Sequence, residues 1–307
     1  MNWNKCDWQE EPANPLIGPV GKGWMMADPT VLLPEESPDG RWHLLANSIP
    51  PKLHEFVSND GVNWEHLRSF ARGAMRPYLR RFGERYHLFY EDVQWWLPLR
   101  SRIVHRVSED LVTWSQPLEV MRPSFSWHGT VNRTVGNPSV VRWREQYLLF
   151  YSAGTVFLKD CGFVEPRHIG VARARSLHGP WTPDPEPILS PKADDPLRNL
   201  GAGSMKVLPD LANGTMWGFN NGIYRDEEGH SRSAIALLSS EDGRDWKGLD
   251  SEAILGPDEG WKKALVYALD VRKTNDNQLH LYFNARDGWM RGKERIGLAV
   301  GTVPVPA

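Results

Sequence analysis

Four carboxylates and one imidazole stand where side chains of their type can do chemistry. Asp28 interrupts the apolar run "MMADPTVLL" with Pro29 directly after it, and Asp270 sits in "YALDVRKT". A charge in a buried strand is costly unless it has partners, and another Val would be the cheaper residue. Glu91 in "LFYEDVQWW", Glu165 in "DCGFVEPRHIG" and His128 in "SWHGTVNR" lie beside further apolar segments. Gathered in one cleft, such groups give and take protons or attack an electrophilic carbon. Each also has a plainer reading: Glu91 and Asp92 cap a turn, Glu165 pairs with Arg167, and His128 is a satisfied loop residue.

What could gather them is a repeat. After Asp28 come "RWHLLANS" and "EFVSNDGVNW"; after Arg76 in "MRPYLRR" come "RYHLFYED" and "HRVSEDLVTW". The third unit reads "GNPSVVRW", "QYLLFYSAG" and "GVARARSLHGPW", the fourth "AGSMKVL", "MWGFNNG" and "ALLSSEDGRDW", and the fifth "YALDVRKT", "LHLYFNARDG" and "RIGLAVGTVPVPA". Every unit is an apolar strand, an aromatic-rich strand, and a third strand that in four of the units ends in a turn before a Trp. Starts near 28, 76, 137, 204 and 270 are spaced roughly 50 to 65 residues apart, the length of a four-stranded propeller blade. The spacing predicts an all-β fold, one five-bladed β-propeller over residues 1–307. The fifth unit lacks the outer segment seen in "WTPDPEPILSP" and "WKGLDSEAILGP", and residues 8–19, "WQEEPANPLIGP", are expected to supply it and close the ring.

First strands of propeller blades line a central channel, so Asp28, Arg76, Asn137, Ser204 and Asp270 are expected to converge. Channel-lining polar groups can also serve only the strands and trapped water. Arg76 and Arg272 neutralise Asp28 and Asp270 in one reading and bind an anionic substrate group in another.

The five-unit layout, with "ADPTV" on the first inner strand and "GNPSVV" followed by "YLLFYSAG" on the third, resembles the five-bladed glycoside hydrolases of families 43, 32, 62, 68, 117 and 130. That resemblance implies acidic side chains in a central funnel acting on glycosidic bonds, with Asp28 as general base or nucleophile. The pattern departs elsewhere. Asn137-Pro138 stands where family 43 proteins have Asp-Pro, "GAGSMKV" lacks their Glu, and "MRPYL" lacks the Arg-Asp-Pro acid of family 32. Glycoside hydrolysis commonly needs two carboxyls. The second is expected to be Asp270, then Glu91, then Glu165, with His128 as a substitute proton donor. Trp95, Trp96 and Trp127 are candidates for stacking on sugar rings, and Asn137 and Ser204 for hydrogen-bonding to them. A non-catalytic sugar-binding propeller and a phosphorylase or transferase using Arg76 and Arg272 as an anion clamp are the alternatives.

Composition narrows the partners. With 36 Lys and Arg against 38 Asp and Glu, the net charge is −2 and the basic residues are dispersed, which disfavours nucleic acid. No stretch approaches the roughly 18 apolar residues of a membrane span, and the start shows no signal-peptide pattern, so a cytoplasmic location is expected. Cys6 and Cys161 read as reduced thiols, and no spacing suggests a metal or cofactor. The expected partner is a carbohydrate, with an anionic group suggested only by the arginines.

Overall fold

A computed structural model describes residues 3, 6–94, 96–249, 252–275 and 278–302. The chain opens with a short strand, β1 (Asp7–Glu10), and then forms five antiparallel sheets of four strands. Blade I holds β2 (Ala27–Leu32), β3 (Trp42–Ser48), β4 (Lys52–Ser58) and β5 (Glu65–Phe70). Blade II holds β6 (Ala74–Phe82), β7 (Arg85–Gln94), β8 (Arg100–Ser108) and β9 (Leu118–Met121). Blade III holds β10 (Val135–Trp143), β11 (Gln146–Leu158), β12 (Phe163–Ala174) and β13 (Thr182–Pro183). Blade IV holds β14 (Gly201–Asp210), β15 (Thr215–Arg225), β16 (Ser231–Ser240) and β17 (Lys247–Gly248). Blade V holds β18 (Leu265–Lys273), β19 (Gln278–Arg286) and β20 (Glu294–Thr302), with β1 as its outer strand.

β1 pairs with β20 from Asp7↔Thr302 to Glu10↔Ala299, so the N-terminal segment closes the ring. The strand is shorter than the expected 8–19 and starts one residue earlier; beyond it Ile17 bridges back to Ile296 and Met25 to Glu294. β18 packs on β2, so blades V and I are neighbours in the ring.

The core lies between the blades. Leu32, Leu45 and Leu53 of blade I meet Leu79, Leu88 and Val104 of blade II, and comparable clusters fill the other four seams. The alternation of strand residues sends one face of each sheet into each seam. A fully buried Phe such as Phe283, in the seam between blades IV and V, contributes on the order of 3–5 kcal/mol by truncation. The turn tryptophans belong to these seams: the Trp64 indole donates to Gly61 O at 3.1 Å and the Trp114 indole to Leu111 O at 2.9 Å.

Each inner strand breaks register once, at the same level. The bulged residues are Asp28, Arg76, Asn137, Gly203 and Ala268, with φ of 56°, 53°, 50°, 60° and 24°. A left-handed residue with a side chain costs roughly 1–2 kcal/mol, and such strain gathers at functional sites. The bulge turns the side chain away from the seam and into the channel. This register corrects the expectation for blade V, where the residue matching Asp28 is Ala268 and not Asp270.

Candidate active site

The bulges open onto a cavity of about 660 Å³ at one end of the channel. Asp28, Arg76, Glu91, Asn137, Glu165 and Ser204 line it, joined by Ser152, Asn221, Tyr267 and Glu294. One side chain on each second strand secures this level: Asn47, Glu91, Ser152, Asn221 and Asn284. Asn284 Oδ1 accepts the Asp28 backbone N–H at 3.0 Å, and Asn47 Oδ1 accepts that of Arg76 at 2.6 Å. Asn221 Oδ1 accepts from Ser204 N at 3.0 Å, and Asn137 Nδ2 donates to Ser152 Oγ at 2.7 Å. Glycine is required where these groups crowd: a Cβ on Gly203 would lie 1.9 Å from Asn221 O, and one on Gly136 would lie 1.9 Å from Glu91 Oε2.

Asp28 is mostly buried, and Arg76 Nε lies 4.0 Å from its Oδ1. Burial raises its pKa above the usual carboxylate value, while the Arg76 charge, the Asn47 amide and Lys206 pull it back. Arg76 is itself fixed by Glu91, Nη1 to Oε2 at 2.8 Å. Glu91 lies within β7 rather than capping a turn, 1% exposed and committed to Arg76.

Glu165 comes from the long β11–β12 hairpin, whose strands run on past the blade and bring it to the cavity. Burial raises its pKa to about 8; Arg76 opposes the rise, and Glu294 and Asp28 add to it. Glu294 was not marked by any motif in "KERIGL". Its Oε1 is held by Arg286 Nη1 at 2.8 Å, and burial raises its pKa too, against the pull of Tyr267 and Arg286. Tyr267 beside it is pushed far up by burial and by that carboxylate.

Five expected site residues lie elsewhere or outside the described residues. Asp270 does not line the cavity. It is 0% exposed and anchors the channel: Oδ1 is 2.5 Å from Arg80 Nη2, and Oδ2 accepts from Val31 N at 2.7 Å and Thr30 Oγ1 at 3.1 Å. Burial would raise its pKa, but the Arg80 charge and hydrogen bonds reverse this and hold it below the usual value. Arg272 donates to Val31 O at 2.6 Å and to Glu36 Oε1 at 2.5 Å, so it and Arg76 do not form one anion clamp. His128 is buried at the end of a short 3₁₀ helix, Ser126–His128, with Nδ1 accepting Ser124 N–H at 3.0 Å and Nε2 at 3.2 Å from Tyr151 Oη; burial lowers its pKa to about 4, which leaves it neutral and bonded. Trp95 lies outside the described residues, whereas Trp96 stands at the cavity rim, 66% exposed. Trp127 packs against Tyr151 and its indole donates to Pro185 O at 2.8 Å, away from the cavity.

Among the described residues one group has ligand atoms close enough for a metal, Asp226, Glu228 and His230 on the β15–β16 turn, and none of them lines the cavity. No helix among them is long and apolar enough to cross a membrane.

No protein-family model matches the chain, and no curated protein matches it by sequence. Solved structures do match. The five-bladed fold is shared with glycoside hydrolases. A glycosyl hydrolase from Bacteroides ovatus superposes with a TM-score of 0.70 at 14% identity, covering 100% of this chain and 96% of that one. A thermostable family-43 glycoside hydrolase gives 0.67 at 13% identity, over 95% and 96% of the two chains. The β-1,2-mannobiose phosphorylase of Listeria innocua gives 0.64 at 13% identity, over 97% and 96%. At such identities the likeness establishes the fold alone, and the chemistry has to be argued from this chain's own cavity.

Proposed function

We propose that the protein is a glycosidase whose cavity holds the scissile glycosidic bond between Asp28 and Glu165. The observation that carries this reading is the pairing of two carboxyls in one cavity with different surroundings: Asp28 beside the Arg76 guanidinium, Glu165 with a pKa of about 8. Such a difference assigns the acid and the base. Near neutral pH Glu165 is protonated and gives its proton to the leaving oxygen. Asp28, whose carboxylate form the neighbouring Arg76 favours against the effect of burial, activates water or attacks the anomeric carbon as the carbon–oxygen bond breaks. Asn137, Ser152, Ser204 and Asn221 are the hydrogen-bonding groups for the sugar. A glycosyl hydrolase and a β-1,2-mannobiose phosphorylase among the structural neighbours agree with this reading.

Arg272 lies outside the cavity, so of the two arginines of the expected anion clamp Arg76 is the one that lines it, and phosphate dependence of turnover separates hydrolysis from phosphorolysis. A hydrolysis screen against aryl furanosides and pyranosides, with and without phosphate, tests the reading. Turnover independent of phosphate is expected; sugar binding without any product would replace the enzyme with a binding protein.

A further inference from the structure

One wall of the cavity is apolar. Met25 and Met75 precede the bulges of blades I and II, and they pack with Ile49 and Val93 into an apolar cluster that faces the cavity. Trp96 and Leu97 continue that wall to the mouth, 66% and 80% exposed, and Phe157 stands at the rim from blade III, 58% exposed. An exposed apolar surface joined to a cavity marks a binding site. Aliphatic side chains offer no hydrogen bond to sugar hydroxyls, and desolvating those hydroxyls without partners is costly. A volume of about 660 Å³ lies in the middle of the roughly 300–1,000 Å³ typical of pockets for ligands larger than one ring.

This inference rests on the glycosidase reading, which puts the sugar against Asp28 and Glu165 and leaves the wall to the other half of the same molecule. We propose that the wall formed by Met25, Ile49, Met75, Val93 and Trp96 is a subsite for a flat apolar aglycone. The substrate class is then glycosides of aromatic or similarly apolar alcohols.

The test is calorimetric titration of the whole protein with 2-naphthol, an aglycone mimic without a sugar. Saturable binding with a negative heat-capacity change is expected for the wild type and for Asp28→Asn. Trp96→Ala and Ile49→Asn should each weaken it at least roughly tenfold, the loss expected when contact with about two methylene equivalents is removed. Trp96 is exposed, so its variant keeps the readout usable if Ile49→Asn fails to fold. Absence of saturable binding, or wild-type affinity in Trp96→Ala or in a folded Ile49→Asn, would overturn the proposal. Binding of 2-naphthol without turnover of any aryl glycoside would sink the glycosidase reading and leave the subsite; turnover without 2-naphthol binding would do the reverse.

Discussion

Arg76 Nη1 lies 2.8 Å from Glu91 Oε2, and that ion pair aims the rest of the guanidinium at Asp28. Glu91 is thereby a positioning residue, acting on the reaction through Arg76. Glu91→Gln keeps the shape and loosens the pair. We expect kcat to fall roughly 10- to 100-fold, the range typical of residues that orient a catalytic group, with KM little changed. A loss as large as that of Asp28→Asn would make Glu91 a catalytic residue instead, and an unchanged kcat would leave it no role.

The pH dependence follows from Glu165. A general acid with a pKa of about 8 is protonated below that value and ionised above it, so the rate should hold through neutrality and fall as pH rises past about 8. Glu165→Gln should abolish that alkaline limb. The same group bears on stability. Its folded pKa is raised above the unfolded value of about 4.3, so the folded state binds the extra proton and loses stability as pH rises from about 4.3 to 8. At pH 8, Glu165→Gln should therefore melt higher than the wild type, by roughly 2–4 °C for each kcal/mol recovered. A variant that melts lower would contradict the burial of the carboxyl.

Asp270 and Arg80 hold the channel rather than the substrate. Removing one partner of a buried ion pair leaves the other charge uncompensated, at roughly 3–5 kcal/mol. Asp270→Asn should lower the denaturant midpoint sharply, while any folded fraction keeps its KM. A stable Asp270→Asn variant without activity would return Asp270 to the reaction.

Five imidazoles are held neutral by burial: His54, His87, His128 and His168, each lowered to about 4, and His105, lowered to about 3. Their folded pKa values lie below the unfolded value of about 6.5, so the unfolded chain takes up protons first as pH falls. Stability should drop steadily between about pH 6.5 and 4, before most carboxylates titrate. His43, held between Glu55 and Asp39 and raised in pKa, works in the opposite sense. Replacing His105, whose Nδ1 has no partner, by Gln should blunt the slope; an unchanged slope would exclude it from the acid response.

The ring, its five units and its closing strand were legible because turn chemistry and strand alternation repeat along the chain. Asp28 and Arg76 were legible for the same reason, standing before a Pro at matching points of "ADPTV" and "MRPYL". Asp270 was misplaced by two residues because blade V carries no Pro after its bulge, and a residue two places along an inner strand lies deeper in the channel. The bulge falls at Ala268, which has nothing to mark it. Glu294 and Tyr267 were missed because their meaning comes from Arg286 and the cavity, contacts that no local pattern encodes. Glu165 was visible only as a polar insertion. Its importance depends on how far β11 and β12 extend.

The central claim is that Asp28 and Glu165 share one reaction. The most direct measurement is turnover of a 2,4-dinitrophenyl glycoside and of the matching methyl glycoside by the wild type, Asp28→Asn and Glu165→Gln, each first shown to be folded. Asp28→Asn should lose at least roughly a thousandfold on both. Glu165→Gln should keep most activity on the dinitrophenyl compound, whose leaving group needs no proton, and lose roughly 10²- to 10⁴-fold on the methyl compound. Near wild-type rates in Asp28→Asn, or equal losses on both substrates in Glu165→Gln, would contradict the account.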